Sequence, residues 1–448
     1  MVLDGTKTIN SEGHLEIGGC DTVKLAEQFG TPLYVFDEAV IRRNARALRE
    51  SFAAHLPRSE VIYAGKSFLT TAMCKIVEQE GLGLDVVSGG ELYTALKAGF
   101  PPERVYFHGN NKSEDEIRLA LKAGVGRLVV DNFLELEMLR EAARSLKTRA
   151  RVLLRITPGI EAHTHDYVRT GQIDSKFGFT LSNGQALAAV RQAAAAPELH
   201  LMGLHCHIGS QIFEVEPFAV AARVMIGFMG EVKEEAGKIL RELDLGGGFG
   251  ITYTHGDRPP ELSRYAAAIA RAVTEACQET GLPVPKIMVE PGRSITGPAG
   301  TTLYTIGSIK EIPGVRTYLA VDGGMGDNPR TALYGAKYEA VVANKADLEP
   351  DRVVSVAGKC CESGDMLIWD VCLADPRPGD ILAVFCTGAY NYSMASNYNR
   401  LPRPAAVLVN EGEADLILER ESYEDLVSHD RIPGRLQGEE SKAERAVL

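Results

Sequence analysis

VIYAGK at residues 61–66 is a short apolar run rich in β-branched and aromatic side chains, and runs of its kind return seven more times. They are LDVVS at 84–88, VYFHG at 105–109, RLVVD at 127–131, RVLLRIT at 151–157, LMGLHCHI at 201–208, ILRELDLG at 239–246 and KIMVEPG at 286–292. Between them lie stretches such as GELYTALKAG (90–99), EDEIRLALKAG (114–124) and LELEMLREAAR (134–144), apolar at three-to-four spacing and in several cases closed by glycine. Strand and helix in alternation make parallel βα units. Eight such units predict a closed (β/α)8 barrel rather than an open sheet.

Working outward, the fifth unit carries a long insertion, ITPGIEAHTHDYVRTGQIDSKFGF (156–179), before its helix at about 183. An insertion on a βα loop sits on the face of a barrel where function collects. Ahead of the barrel, TPLYVFD (31–37) reads as a strand outside the eightfold count. From about residue 300 the helical alternation stops, and TYLAVD (317–322), DRVVSVAG (351–358), DILAVF (380–385) and AAVLV (405–409) follow between Gly, Pro, Asn and Asp. The chain therefore divides into a barrel over 36–299 and a second, mainly β domain made of 300–448 with 1–35. The charged tail GEESKAERAVL (438–448) reads as a frayed helix or a segment without fixed structure.

Composition sets the class. With 448 residues, 45% hydrophobic and 24% charged, the chain has ample material for a large core. The net charge of -12 and the scattered basic residues offer no clustered Lys and Arg for a phosphate backbone, so nucleic acid is not an expected partner. No segment approaches the ~20 apolar residues of a membrane span, and MVLDGTKTINSEGHLEIGG at the start has no basic stretch followed by an apolar one; a cytoplasmic protein is expected. The eight cysteines (20, 74, 206, 277, 360, 361, 372 and 386) form no CxxC pair, which argues against a zinc knuckle or a disulfide framework.

The strand ends supply the candidate site. The first ends on Lys66, the second contains Asp85 and runs into Ser88, the third ends on His108, and the sixth carries His205 and His207. The seventh opens into Gly246-Gly247-Gly248-Phe249-Gly250 and the eighth closes on Glu290-Pro291-Gly292-Arg293. A lysine in a partly desolvated mouth is a natural Schiff-base nucleophile, although at a strand end alone it is more often a snorkelling surface lysine. The glycine run completes neither a dinucleotide fingerprint nor a P-loop, but after a late barrel strand it exposes backbone N–H groups suited to a phosphate. Glu290 would be satisfied by a protonated pyridine nitrogen or, more plainly, by Arg293. His205 and His207, two apart on a strand, could bind a metal, with no carboxylate ligand obviously placed beside them. Cys361, beside Glu362, has the makings of a proton donor or of an ordinary buried cysteine in a turn.

Together these segments resemble the fold-type III pyridoxal-phosphate decarboxylases, and within that family most closely the members that act on diaminopimelate. The resemblance runs from about residue 30 to 409. It rests on YAGKS (63–67), HCHIGSQ (205–211), GGGFG (246–250), EPGRSI (290–295), CESGD (361–365) and GAYNYSMASNYN (388–399), with HTHDYVRTG, SKFGF and DNPRTALYGAKYEA (327–340) marking the diaminopimelate branch. It implies pyridoxal 5'-phosphate held covalently by Lys66, with His207 stacked on the ring, Asp85 near it and Glu290 at its nitrogen. Ser210, Gly246, Gly247, Gly248, Gly250, Gly292, Arg293 and Tyr390 would hold the phosphate or lie beside it. Arg293, Arg330, Tyr334, Glu362 and Tyr390 would grip the substrate, and Cys361 would return the proton. The resemblance also implies a homodimer in which the second domain completes the partner's site, and meso-2,6-diaminopimelate converted to L-lysine and CO₂. Departures are small: Ser67 and Thr331 stand where Ala and often Pro are expected, and Thr157 where Asn is common.

Alternatives remain open at this level. On the same fold they are a decarboxylase of ornithine, arginine or carboxynorspermidine, or an alanine racemase, which Glu290 disfavours because a racemase places arginine at the ring nitrogen. From other classes they are a metal-dependent barrel hydrolase and a non-catalytic relative.

Overall fold

A computed structural model describes residues 4–160 and 174–436. The HTHDYVRTG part of the insertion, with His163 and His165, and the charged tail lie outside the described residues.

All eight expected runs are strands: Ser59–Ala64, Gly83–Val86, Val105–Phe107, Arg127–Val130, Ala150–Thr157, Leu199–His205, Glu242–Asp244 and Lys286–Val289. Each pairs in parallel with the next, and Lys286–Val289 pairs back onto Ser59–Ala64, so the ring is closed. Helices return between them, and local chemistry sets their limits. Ser113 caps Glu114–Ala123 by accepting from Glu116 N while the Glu116 carboxylate accepts from Ser113 N, and Gly124 ends it at a φ of 78° that an L side chain disfavours. Ser88 is not a strand-end residue of the mouth but the cap of Gly89–Lys97, accepting from Glu91 N.

Period-two alternation along the strands fixes what faces inward. Val61, Tyr63, Leu84, Phe107, Leu154, Ile287 and Val289 belong to the apolar layer between strands and helices. Ile62, Tyr106, Val129, Leu153 and Met288 form a separate buried cluster that plugs the barrel interior. Two residues further along the same strands, toward their C-terminal ends, stand Ala64, His108, Asp131, Arg155 and Glu290. The floor of the mouth is thus one polar layer set directly on an apolar plug.

The second domain is a largely antiparallel sheet, in the order Met366–Leu373, Arg352–Ala357, Arg316–Val321, Gly300–Ile312, Leu33–Asp37, Ala405–Asn410, Glu413–Leu418. The strand left over from the barrel count, Leu33–Asp37, lies inside it, antiparallel to Gly300–Ile312 and parallel to Ala405–Asn410. Among the described residues, no helix is long and apolar enough to cross a membrane.

Candidate active site

The mouth holds a cavity of about 420 Å³ lined by Lys66, Asp85, His108, Arg155, His205, His207, Ser210, Glu290, Arg293, Arg330, Tyr334 and Tyr390, among others. Its volume lies in the usual range for a small-molecule site. A narrower recess of about 50 Å³ opens from it between Ser210, Gly247, Gly248, Gly292 and Arg293, and Lys66 lines both.

Lys66 sits in a single 3-10 turn, Gly65–Ser67, directly after the first strand. Ser67 is buried: its hydroxyl lies within hydrogen-bond distance of Ala64 O (3.0 Å) and Tyr63 Oη (2.9 Å), and its carbonyl accepts from Tyr390 N (2.8 Å) and Ser393 Oγ (3.1 Å). The lysine turn is thereby stitched to the GAYNYSM segment. Tyr390 takes a φ of 66° there, a conformation that non-glycine residues adopt at some cost and that is concentrated at functional sites.

Glu290 does not pair with Arg293. His108 Nε2 lies 2.7 Å from its Oε1 and His205 Nε2 lies 3.2 Å from its Oε2, with the two imidazoles edge-on at 4.9 Å. Burial alone would push the Glu290 carboxyl up, but the two imidazoles hold it well below the usual carboxylate range. Burial pushes His108 down to about 4 and lowers His205 as well, so both rings are neutral at pH 7. Asp85 and Asp244 are driven the other way, well above the ordinary range, by burial and by the Glu290 charge. Glu290 is thus an ionised carboxylate between two neutral imidazoles and two neutral carboxyls, with the Arg155 and Lys66 charges nearby, and a cationic ring nitrogen would complete that arrangement. The carboxylate that sequence reasoning did not find beside His205 is Glu290 itself: His108, His205 and Glu290 offer ligand atoms within 4.8 Å of one another, with Glu290 hydrogen-bonded to His205 and its other oxygen 2.7 Å from His108.

His207 is neutral for a related reason, since burial and the nearby Lys66 and Arg155 charges lower it well below its ordinary range. Its Nδ1 accepts from Gly247 N at 3.2 Å, which ties the ring to the glycine loop. That loop is a cradle only because it lacks side chains. A Cβ on Gly247 would meet Glu290 O at 2.1 Å, and one on Gly248 would meet Gly209 O at 2.2 Å. Gly246 and Gly250 line neither cavity; Gly246 packs on His207 and Gly250 on Phe213.

Arg293 and Arg330 are each only 7% exposed, and no described carboxylate pairs with either. Arg293 donates to Ser210 Oγ (3.0 Å) and to Tyr253 Oη (2.6 Å), and Arg330 to Tyr253 Oη (2.6 Å). The Nε of each is buried without a hydrogen-bond partner. Two desolvated cations without counterions call for two anions. A phosphate in the recess at Arg293 and a carboxylate at Arg330 fit that demand, and with Lys66 and Glu290 they match the functional groups of pyridoxal phosphate and an amino acid.

The mouth gathers Lys66, Asp85, His207, Ser210, Gly247, Gly248, Glu290, Gly292, Arg293, Arg330, Tyr334 and Tyr390. Cys361 and Glu362 are exposed and line neither cavity of their own chain. Their loop is nevertheless well held: Asp365 accepts from Cys360 N (2.7 Å) and Met325 N (2.6 Å), and Asn399 Oδ1 accepts from Cys361 N (2.7 Å). Sequence reasoning missed Arg155, whose guanidinium lies 3.9 Å from Asp131 and stacks at 4.2 Å over Phe177, and Tyr253. It noted His108 and His205 without giving either its role as a partner of Glu290. A charge inside RVLLRIT was the available signal for Arg155.

A closed parallel barrel with an accessible lysine, one buried carboxylate and an anion recess at its strand ends is the arrangement of a phosphorylated-cofactor enzyme. The family model described as "Pyridoxal-dependent decarboxylase, pyridoxal binding domain" matches residues 38–297. The diaminopimelate decarboxylase of Bacillus subtilis (strain 168) is 55% identical over 430 residues, covering 96% of this chain and 98% of that protein. That of Synechocystis sp. is 49% identical over 440 residues, covering 96% and 93%. The crystal structure of the diaminopimelate decarboxylase from M. jannaschii in complex with L-lysine superposes with a TM-score of 0.90 at 36% identity, covering 96% of this chain and 99% of that one. The chain belongs to the diaminopimelate decarboxylase family of pyridoxal-dependent decarboxylases.

Proposed function

We propose that the protein decarboxylates meso-2,6-diaminopimelate to L-lysine and CO₂, with pyridoxal 5'-phosphate carried on Lys66. The observation that carries this reading is the pair of buried arginines without acidic partners in the mouth that Lys66 lines, Arg293 at the glycine recess and Arg330 in the wider cavity. When bound, the cofactor supplies a cationic ring that accepts the electron pair released as CO₂ leaves.

The chain's own residues prepare that event. Glu290, kept ionised between His108 and His205, holds the proton on the ring nitrogen. His207, a neutral imidazole fixed by Gly247 N, would hold one face of the ring. Ser210, Gly247, Gly248, Gly292, Arg293 and Tyr390 hold the phosphate, with Gly246 and Gly250 shaping the loop. Arg330 and Tyr334, with Arg293 and Tyr390, grip the substrate, Arg330 as a fork for a carboxylate that ornithine and arginine lack at their distal end.

The proton returned to the substrate comes from Cys361 of the partner subunit, with Glu362 of the partner subunit at the substrate's far end. This places a second domain, 300–448 with 1–35, over the neighbouring barrel and makes the homodimer the working unit. The exposure of Cys361 on a loop anchored at both ends suits that use. All eight cysteines are free thiols, which suits a reducing cytoplasm. The test is CO₂ release from diaminopimelate, ornithine and arginine by the cofactor-loaded protein: turnover confined to diaminopimelate is expected, and preference for either monocarboxylate overturns the substrate.

A further inference from the structure

Tyr253 follows the glycine loop and lines neither cavity, yet its hydroxyl is the one polar group common to both arginines. Arg293 Nη1 and Arg330 Nη1 each donate to Tyr253 Oη at 2.6 Å. Both guanidinium groups also lie over its ring, at 5.7 and 5.4 Å, and the ring packs edge-on against buried Tyr338 at 5.7 Å. A phenolic oxygen has two lone pairs, and here both face a cation. Two buried positive groups that share one acceptor repel each other; the Tyr390 ring also lies against both, at 4.8 and 5.6 Å, but offers them no described hydrogen bond, so the Tyr253 hydroxyl is the acceptor they share.

We infer that Tyr253 is a positioning residue that couples the phosphate recess to the substrate-carboxylate site by holding Arg293 and Arg330 on a single oxygen. The inference rests on the assignment of those two anion sites made above. Arg293 with phosphate on its far side is partly neutralised, so Arg330 keeps its place on the hydroxyl and presents its remaining N–H groups to a carboxylate. Without the hydroxyl, each guanidinium loses an acceptor and both are free to separate.

Tyr253→Phe keeps the ring, the contact with Tyr338 and both cation–ring contacts, and removes only the shared oxygen. Loss of a hydrogen bond to a charged donor corresponds to roughly a ten- to hundredfold effect. The variant is expected to weaken pyridoxal-phosphate binding to the apoenzyme, read by fluorescence quenching, and to raise KM for diaminopimelate, each by about tenfold or more, with kcat changed far less. In the double variant with Arg330→Lys, KM should rise no further than in Arg330→Lys alone, because Tyr253 acts through Arg330. An unchanged KM and cofactor Kd would overturn the proposal, and a change in only one of them would overturn the coupling. The cofactor titration needs no turnover, so it reports on Tyr253 even if diaminopimelate proves not to be the substrate. A melting temperature near that of wild type excludes a general folding defect as the cause.

Discussion

Gly247→Ala is the most demanding test of the mouth, because the geometry predicts damage from one methyl group. The added Cβ would lie 2.1 Å from the Glu290 carbonyl oxygen and 2.9 Å from its carbon. Ordinary contact needs more than an ångström of extra room against the first. Neither side yields easily. The seventh and eighth strands are paired through Glu242–Lys286, Leu243–Ile287 and Asp244–Met288, and Glu290 N donates to Gly246 O at 2.9 Å just beyond them. Moving Glu290 by the required distance breaks that last bond, worth about 1 kcal/mol, and adds about 1–3 kcal/mol of overpacking. It also carries the carboxylate off its two imidazoles, and a misplacement on that scale costs on the order of a hundredfold in rate. Cofactor titration and steady-state CO₂ release should therefore show weak binding and a fall in kcat/KM of at least a hundredfold. Gly250→Ala, whose Cβ would come no closer than 3.0 Å to Ile212 O, should be far milder. Wild-type behaviour of Gly247→Ala, or equal damage from the two, would refute the account of the cradle.

Lys66→Ala should lose both activity and the visible absorption of bound cofactor after dialysis; retained turnover would remove Lys66 from its role. Mixing Lys66→Ala with Cys361→Ala subunits should restore about a quarter of wild-type activity, since hybrid dimers regain one intact site each; no recovery would confine the site to one chain. Arg330→Lys keeps the charge but not the fork, and should raise KM for diaminopimelate by roughly tenfold or more with a smaller effect on kcat. Burial holds His108 down to about 4 from 6.5, so the unfolded chain takes up its proton first as the pH falls. Stability from this group is fully present above pH 6.5 and is lost between 6.5 and about 4. Over that window, melting curves of wild type should fall more steeply than those of His108→Gln, by up to about 1.4 kcal/mol per pH unit; parallel curves would contradict the assignment.

The barrel was legible because each strand is a compact apolar run and several helices, such as Gly89–Lys97, Glu114–Ala123 and Phe133–Ser145, carry a side-chain cap of their own. VIYAGK and KIMVEPG needed no long-range information to be seen as strands. Lys66 and Glu290 could be named from their places at strand ends, but the partner of Glu290 could not. Arg293 is three residues away in sequence and is the obvious candidate, whereas His108 and His205 arrive from the third and sixth strands only when the ring closes. Alternation would have narrowed the choice: His108 and Arg155 each stand two residues beyond a plug residue, Tyr106 and Leu153, and so face inward. Tyr253 carried no such signal, since it lies in an irregular stretch after the glycine loop and acquires its role only where Arg330 of the second domain meets Arg293 of the barrel. Thr157, an apparent departure from its family, uses its hydroxyl to donate to Phe177 O at 2.5 Å, a tie within the fifth loop that a sequence comparison alone does not disclose.

The central claim is tested most directly by following the products of the cofactor-loaded protein with meso-2,6-diaminopimelate by chiral chromatography and CO₂ capture. The account predicts L-lysine and CO₂ in equal amounts, without D-lysine. Absence of lysine, or formation of the D isomer in comparable yield, would contradict it.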